Sequence, residues 1–210
     1  MTPVIVPLGD SAMLVRFGDS LSADANRRAI AFAAGLDRAP LEGVEEIAPG
    51  LVSVLLRTRP GADFWRLSGE LRLRIEAGAG LPDGPLREIA IVFDGEDVAE
   101  VAGRVGLDAG AFVARHNDSV LRVLATGFAP GFVYCGFHPE ALAVPRREQL
   151  RPMVPAGTVL FAAGQTAIAA TPIRTGWHVI GRTEFQNFDP AATPPTILRP
   201  GDRVRFTVAA

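Results

Sequence analysis

Gly127-Phe128-Ala129-Pro130-Gly131-Phe132-Val133-Tyr134 opens the most informative stretch of this chain, residues 126–181. The stretch continues through Pro145-Arg146-Arg147 and Val154-Pro155-Ala156-Gly157, and it closes with Gly176-Trp177-His178-Val179-Ile180-Gly181. Proline fixes φ and glycine permits positive φ, so this backbone bends at set points and is stiff between them. Such a segment is typical of a binding or catalytic surface. The alternative is a proline-rich connector, although linkers seldom hold so many aromatic residues.

Short apolar runs separated by proline and glycine continue from this stretch to the C-terminal end. We predict strands over residues 120–125, 158–163, 166–170, 177–181 and 203–208. Upstream of them we predict a strand over 88–93 and two helices, one opened by Asp94-Gly95-Glu96-Asp97 and one capped by Asp108 that ends near His116. Strands broken this often indicate a closed barrel rather than an open sheet.

The N-terminal part alternates between strands and helices. Residues 3–7 and 12–17 predict one hairpin, and Pro49-Gly50 lies at the turn of a second. Ser22 is a plausible N-cap for a helix that ends near Asp37. A second helix after Asp63 places four apolar residues on one face, namely Phe64, Leu67, Leu71 and Ile75. The pattern predicts an α+β unit whose helices cover one face of a mostly antiparallel sheet.

A run of glycine and proline, Gly78-Ala79-Gly80-Leu81-Pro82-Asp83-Gly84-Pro85, separates these two patterns. Such a run is the best linker candidate in the chain. We therefore predict two domains, residues 1–84 and residues 85–210.

Composition excludes several kinds of chemistry. The 210 residues are 48% hydrophobic with a net charge of -2, which favours a packed core and does not indicate a nucleic-acid partner. All 21 basic residues are arginine, so a Walker A loop, a Schiff-base lysine and a biotinyl-lysine are excluded. If ATP is used, another chain or an atypical site must bind it.

Cysteine, histidine and hydropathy patterns predict the setting of the protein. Cys135 is the only cysteine, which excludes an internal disulfide. His116, His138 and His178 are widely spaced, so we expect no metal site. The N-terminal residues do not form a signal peptide pattern and no apolar run reaches membrane-spanning length, so we expect a cytoplasmic protein without membrane contact.

The ordered motifs resemble one protein family, that of the 5-oxoprolinase B subunit, also known as allophanate hydrolase subunit 1 and the Kip-type inhibitor of a sporulation histidine kinase. The resemblance runs from Leu8-Gly9-Asp10 to Gly201-Asp202-Arg203, with further specific pieces at Asp94-Gly95-Glu96-Asp97, at Gly164-Gln165-Thr166 and in the stretch quoted above. It implies an α+β fold class, with a ferredoxin-like α/β unit followed by a cyclophilin-like β-barrel.

The resemblance also implies a function within a complex. In this family the B subunit pairs with a homologous C subunit, and together with a separate A subunit they open 5-oxoproline to glutamate at the expense of ATP. On this basis we expect an amide (lactam) hydrolase subunit that is inactive alone and binds no cofactor itself. Two alternatives stay open, namely a carboxyltransferase module acting in urea or allophanate chemistry and a non-catalytic inhibitor of a sensor histidine kinase.

Seven residues are the candidates for the site. His116 can act as a general acid or base, Arg146 and Arg151 can hold a carboxylate or an oxyanion, and Gln165 can bind an amide. We predict that His116, Arg146 and Gln165 are catalytic and that four residues bind substrate: Arg151, Pro130, Phe132 and Trp177. The alternatives are a helix-terminal histidine, a solvated basic loop, an edge-strand glutamine, and aromatic residues that form barrel core or a partner interface.

Overall fold

The computed structural model describes residues 2–77 and 83–209, and the chain divides into two compact units, Met1–Pro82 and Asp83–Ala210. Most of the predicted linker, residues 78–82, lies outside the described residues. The domain boundary after residue 84 therefore stays a prediction. The fold class is mixed α+β, as we predicted.

The N-terminal unit contains a four-stranded sheet and two helices. Its elements are β1 (Val4–Leu8), β2 (Ala12–Arg16), α1 (Ala23–Arg38), β3 (Val44–Pro49), β4 (Ser53–Thr58) and α2 (Phe64–Ala77). The strand order is β1-β2-β4-β3, and all neighbouring pairs are antiparallel. Both predicted hairpins and both predicted helices are present.

Local sequence explains why these elements form. Ser22 caps α1, because its hydroxyl oxygen accepts a hydrogen bond from the Ala25 N–H at 3.2 Å. The apolar residues spaced along α2 face the sheet, as their helical spacing predicted. Together they form a core of helix and strand side chains that includes Leu67, Leu71, Val54 and Leu56, with Phe64 and Ile75 packed against it.

The C-terminal unit is richer in strands. Its elements are β5 (Leu86–Ile91), α3 (Val98–Arg104), α4 (Ala109–Asn117), β6 (Val120–Thr126), β7 (Val133–Gly136), β8 (Arg151–Val154), β9 (Thr158–Ala162), β10 (Gln165–Ile168), β11 (Ile173–Thr175), β12 (His178–Arg182) and β13 (Arg203–Val208). A single 3₁₀ turn, Glu140–Leu142, follows β7.

Seven of these strands form one sheet in the order β12-β9-β10-β7-β6-β13-β5, and β11 pairs with β8 separately. Neighbours are antiparallel except β13 and β5, which are parallel. A bridge between Val92 and Arg182 joins the two edges through backbone hydrogen bonds of 2.9 and 3.0 Å. The sheet is therefore curled back on itself.

Helices α3 and α4 cover one face of this sheet, which we call the inner face. The core on that face joins helix residues to strand residues, among them Val101, Phe112, Val133, Ile168 and Phe206. Asp108 caps α4, as predicted, by accepting the Ala111 N–H at 2.7 Å. The opposite, outer face carries a second cluster that includes Phe132, Leu160, Ala167 and Trp177.

Three strands were missing from the sequence prediction. Strand β7 lies inside the Gly- and Pro-rich stretch that we interpreted as loops, β8 contains Pro152, and β11 has three residues. Such strands carry too little periodicity to be identified before their partners are known. None of the helices within the described residues has the length and hydropathy needed to cross a membrane.

We predict that Gly95→Ala destabilises the C-terminal unit by about 3 kcal/mol, because the new methyl group overpacks a fixed backbone. A Cβ atom at Gly95 would lie 2.3 Å from the carbonyl carbon of Ile180 and 2.4 Å from the Val179 oxygen. Urea unfolding measures the effect. The matched control is Gly103→Ala, where a Cβ meets nothing within 4 Å and alanine favours α3. Equal stability of Gly95→Ala and the parent chain would contradict the prediction.

Candidate functional site

The outer face of the curled sheet carries a continuous row of aromatic rings. The ring centroids of Phe128 and Phe132 lie 5.4 Å apart, those of Phe132 and Tyr134 lie 4.8 Å apart, and those of Tyr134 and Trp177 lie 5.9 Å apart. All three pairs meet edge to face, a geometry that favours aromatic contact. We call these four residues the outer aromatic row.

One end of the row is exposed on a strained loop. Phe128 is 75% exposed and has a φ of 74°, a conformation that costs energy in a residue other than glycine. Backbone hydrogen bonds from Gly127 N to Phe132 O and from Phe132 N to Ala129 O hold the loop. Phe128 therefore extends the aromatic row from the buried rings out into solvent. Pro130, one of the predicted site residues, is exposed in the same loop.

Arg146 lies at the other end of the row. Its guanidinium carbon is 5.5 Å from the centre of the Trp177 ring, which is a cation–π contact. Burial raises the pKa of the Tyr134 phenol, and the positive charge of Arg146 opposes that rise, so Arg146 also lies near Tyr134. The Arg146 side chain is exposed and forms no ion pair with any carboxylate in residues 83–209. It is therefore an available donor for an anionic ligand.

The neighbouring arginines are already paired. Arg147 donates to Asp97 Oδ1 at 2.8 Å, and Arg151 donates to both oxygens of Asp97 at 2.7 and 2.8 Å. Arg151 also pairs with Glu96 at 2.5 Å. A substrate carboxylate would have to displace two protein carboxylates to reach Arg151. In this structure the side chain holds segments around the site together, and its role in substrate binding stays a prediction.

The buried carboxylate of Asp97 is the centre of these pairs. Burial by itself raises the pKa of the Asp97 carboxyl, but the Val179 N–H and the Arg151 and Arg147 guanidiniums hold it below its ordinary value. Sequence analysis did not single out Asp97. The motif Asp94-Gly95-Glu96-Asp97 is visible in the sequence, but its arginine partners lie at least 50 residues away along the chain.

Asp97, Glu100 and His178 place one possible ligand atom each within 4.8 Å of one another, a spacing that suits a metal ion. Arg147 Nη1 already lies 2.8 Å from Asp97 Oδ1 and 3.7 Å from Glu100 Oε2. Its guanidinium therefore supplies positive charge between the two carboxylates, and the absence of a metal site stays a prediction.

His116 lies on the inner face, away from the aromatic row. It is fully buried, and its Nε2 is 2.8 Å from the Thr166 hydroxyl, which His138 Nε2 also contacts at 2.8 Å. Burial lowers the pKa of His116 to about 4, with the Asn117 hydrogen bond opposing. Burial and the adjacent His116 lower the pKa of His138 to about 3. The structure does not bring His116 to the same surface as Arg146, and its catalytic role stays a prediction.

Gln165 faces outward. Side chains alternate along a strand, and Thr166 points inward to His116, so the neighbouring Gln165 and Ala167 point to the outer face. Gln165 is 6% exposed, and its Oε1 has no hydrogen-bond partner among the described residues. An unpaired buried amide oxygen is costly, which marks Gln165 as a candidate ligand-binding group.

Of the seven predicted site residues, the aromatic contacts bring three together, namely Phe132, Trp177 and Arg146. Pro130 lies in the loop of Phe128, and Gln165 shares the outer face. Phe132 and Trp177 are themselves 2% and 5% exposed, so they form the floor of the surface rather than open walls. Asp97 is an addition that the structure suggests, and Tyr134 lies between Phe132 and Trp177 in the outer aromatic row.

Comparison with known proteins finds one family that matches most of the chain. Residues 3–198 match the family model described as the carboxyltransferase domain, subdomain C and D. A protein of Escherichia coli O157:H7, named as the B subunit of 5-oxoprolinase, is 34% identical over 204 residues, which cover 95% of this chain and 93% of that protein.

Solved structures show the same likeness. The TTHA0988 crystal structure matches with a TM-score of 0.83 and 39% sequence identity, over 95% of this chain and 39% of that one. This chain therefore spans about two fifths of TTHA0988. Kluyveromyces lactis urea carboxylase matches with a TM-score of 0.77 over 99% of this chain and 22% of that one, but at 15% identity the likeness concerns the fold alone.

We predict that the chain loses stability on mild acidification because of the inner-face histidines. In the unfolded chain each histidine gains a proton near pH 6.5, whereas in the folded chain His116 stays neutral down to about pH 4. The contribution of these histidines to the free energy of unfolding is therefore present above pH 6.5 and is lost as the pH falls below that value. Between pH 7 and 5.5 the loss is about 1 kcal/mol for each buried histidine.

Urea unfolding at several pH values tests this prediction. His116→Gln, which is neutral at every pH, should remove about half of the pH dependence between pH 7 and 5.5. The interval lies above the usual carboxylate range, so aspartate and glutamate contribute little. A parent chain whose stability does not change between these pH values would refute the assignment of His116 and His138 as neutral in the folded state.

Proposed function

Since the chain belongs to the family of the carboxyltransferase domain, subdomain C and D, we propose that it is the B subunit of a 5-oxoprolinase. In this role it acts with a homologous C subunit, together with a separate A subunit, in the ATP-dependent opening of 5-oxoproline to glutamate. The observation that carries the proposal is the likeness to the Escherichia coli protein of that name over nearly the whole length of both chains.

The outer face supports this substrate class chemically. 5-Oxoproline is a small flat ring with one carboxylate and one lactam amide. The guanidinium of Arg146, which lies over the Trp177 ring and forms no carboxylate pair within residues 83–209, suits the carboxylate. The buried rings of Trp177 and Phe132 form an apolar floor beneath it. Tyr134 offers a hydroxyl near the same arginine. The surface thus offers a positive charge and a hydrogen-bonding group to a small anionic molecule.

Gln165 can bind the substrate only if the side chains that cover it move. Its unpaired Oε1 is an acceptor for the lactam N–H, whereas its side chain is only 6% exposed. His116 has no route to a ligand on the outer face unless the sheet opens, so we propose Arg146 and Gln165 as the catalytic or binding groups of this chain.

Other parts of the reaction belong to other chains in this proposal. The absence of lysine removes the usual phosphate-binding loop, so ATP is bound by the A subunit. The C subunit supplies the rest of the site around the substrate, and the chain alone is inactive. The setting we propose is the cytoplasm.

We further propose that the two units are variants of known folds. In the N-terminal unit β4 lies between β2 and β3 and is antiparallel to both, the split β-α-β arrangement of ferredoxin-like folds. The curled sheet of the C-terminal unit, with its edges joined at Val92 and Arg182, supports a cyclophilin-like barrel.

The second candidate function is a carboxyltransferase module for urea or allophanate. It is favoured by the fold likeness to urea carboxylase. Urea lacks a carboxylate and would leave Arg146 without an anionic partner, whereas allophanate carries one. A direct comparison of 5-oxoproline, urea and allophanate as substrates of the assembled enzyme distinguishes the candidates.

We predict that turnover requires assembly. The purified chain alone should hydrolyse neither ATP nor 5-oxoproline, because it has no lysine for the usual phosphate-binding loop. Co-expression with the two partner chains should give ATP-dependent formation of glutamate, measured by chromatography. Turnover by the isolated chain, or an assembled complex that acts on urea alone, would contradict the proposed function.

We predict that Arg146→Ala lowers kcat/KM for 5-oxoproline in the assembled enzyme by about 100-fold, the effect of losing one oriented charged group. The matched control is Arg174→Ala, which removes another exposed arginine of the C-terminal unit and should change kcat/KM less than about twofold. Equal activity of both variants would exclude Arg146 from the site.

A further inference from the structure

The backbone on both sides of Arg146 is held by hydrogen bonds. Before it, the Pro145 carbonyl oxygen lies 3.0 Å from His178 Nε2. After it, the Arg147 N–H donates to the Gly176 carbonyl at 2.7 Å. Both partners flank Trp177, the ring beneath Arg146. The cation–π contact is therefore fixed by its neighbours in sequence on both sides.

The Asp97 carboxylate joins the same two segments. It accepts Arg147 Nη1 and Arg151 Nη2, which stand at the two ends of the short segment following Arg146. It also accepts the backbone N–H of Val179 at 2.7 Å, in the strand that begins just after Trp177. One carboxylate thus ties the Arg146 segment to the Trp177 strand.

Helix capping does not explain this aspartate. Asp97 is the N-cap residue of α3, where an aspartate normally accepts a helix N–H, but its side chain makes no capping hydrogen bond. Only 4% of the residue is exposed. Its carboxylate is turned instead toward Arg147, Arg151 and Val179. A buried charge used in this way holds distant segments together.

We propose that Asp97 is a positioning residue that keeps Arg146 seated on the Trp177 ring. Arg147 and Arg151 act through Asp97 and do not contact the ligand. The structural part of this proposal stands on the contacts above. Its kinetic consequence, weaker binding of an anionic substrate, rests on the proposed function.

Fluorescence of Trp177 tests the structural part on the isolated full chain. The chain has two tryptophans, and the other, Trp65, is 90% exposed, so Trp65→Phe leaves one reporter without removing core packing. Quenching by acrylamide measures how far Trp177 is covered. Arg146→Ala is the reference variant, in which the cation is absent. It should raise the quenching constant about twofold, because the long Arg146 side chain no longer covers the Trp177 ring.

In the Trp65→Phe chain, Asp97→Asn should raise acrylamide quenching as much as Arg146→Ala does. The quenching constant of the double variant should be no higher than that of either single variant, because both changes remove the same contact. The matched control is Asp94→Asn, which breaks the exposed ion pair between Asp94 and Arg182 and should leave quenching unchanged. An unchanged quenching constant in Asp97→Asn, beside a raised one in Arg146→Ala, would overturn the proposal.

If the Asp97→Asn chain shows no cooperative unfolding transition, and so is not properly folded, Arg147→Ala provides the test instead. This variant leaves the pair between Asp97 and Arg151 in place and removes the tie to Asp97 that is nearest to Arg146, together with the 3.7 Å pair between Arg147 and Glu100. Raised quenching in Arg147→Ala supports the proposal, and unchanged quenching refutes it.

In the assembled enzyme Asp97→Asn should raise KM for 5-oxoproline more than it lowers kcat. If the fluorescence result holds while no turnover is found, the proposed function fails and the positioning role stands.

Discussion

The ion pairs of Asp97 are the interaction on which the rest of the candidate site depends. A buried carboxylate is tolerated only when donors surround it, and here a strand N–H and two guanidiniums do so. These donors come from segments far apart in the sequence, so one carboxylate holds those segments together. Arg146, which has no carboxylate partner in residues 83–209, is thereby held at the surface with its charge available.

The curled sheet separates two environments. On the inner face, Thr166 joins two buried histidines within an aromatic core, where neutral side chains are favoured. On the outer face, the next residue along the same strand, Gln165, belongs to the side that carries the aromatic row and Arg146. Strand alternation thus divides polar residues that are adjacent in sequence between a stabilising cluster and a surface suited to an anionic ligand.

Sequence patterns predicted most of the elements, because helices such as α1 and α4 carry both a cap and regular apolar spacing. They could not show that Gln165 and His116 lie on opposite faces, since one residue of strand register decides the face. Arg151 was predicted to bind substrate because a proline follows it in a basic loop. Its partner Asp97, 54 residues earlier, becomes visible only when the chain is folded. Arg146 and Trp177 were both predicted as site residues, and the fold brings their side chains into contact.

We propose that the substrate binds to the outer face and not beside the inner histidine cluster. A crystal structure of the assembled enzyme with 5-oxoproline would show which face binds it. We expect the ligand carboxylate within about 3 Å of the Arg146 guanidinium, the distance of a charge-assisted hydrogen bond. A ligand bound beside His116, or one held without any contact to Arg146, would contradict the account.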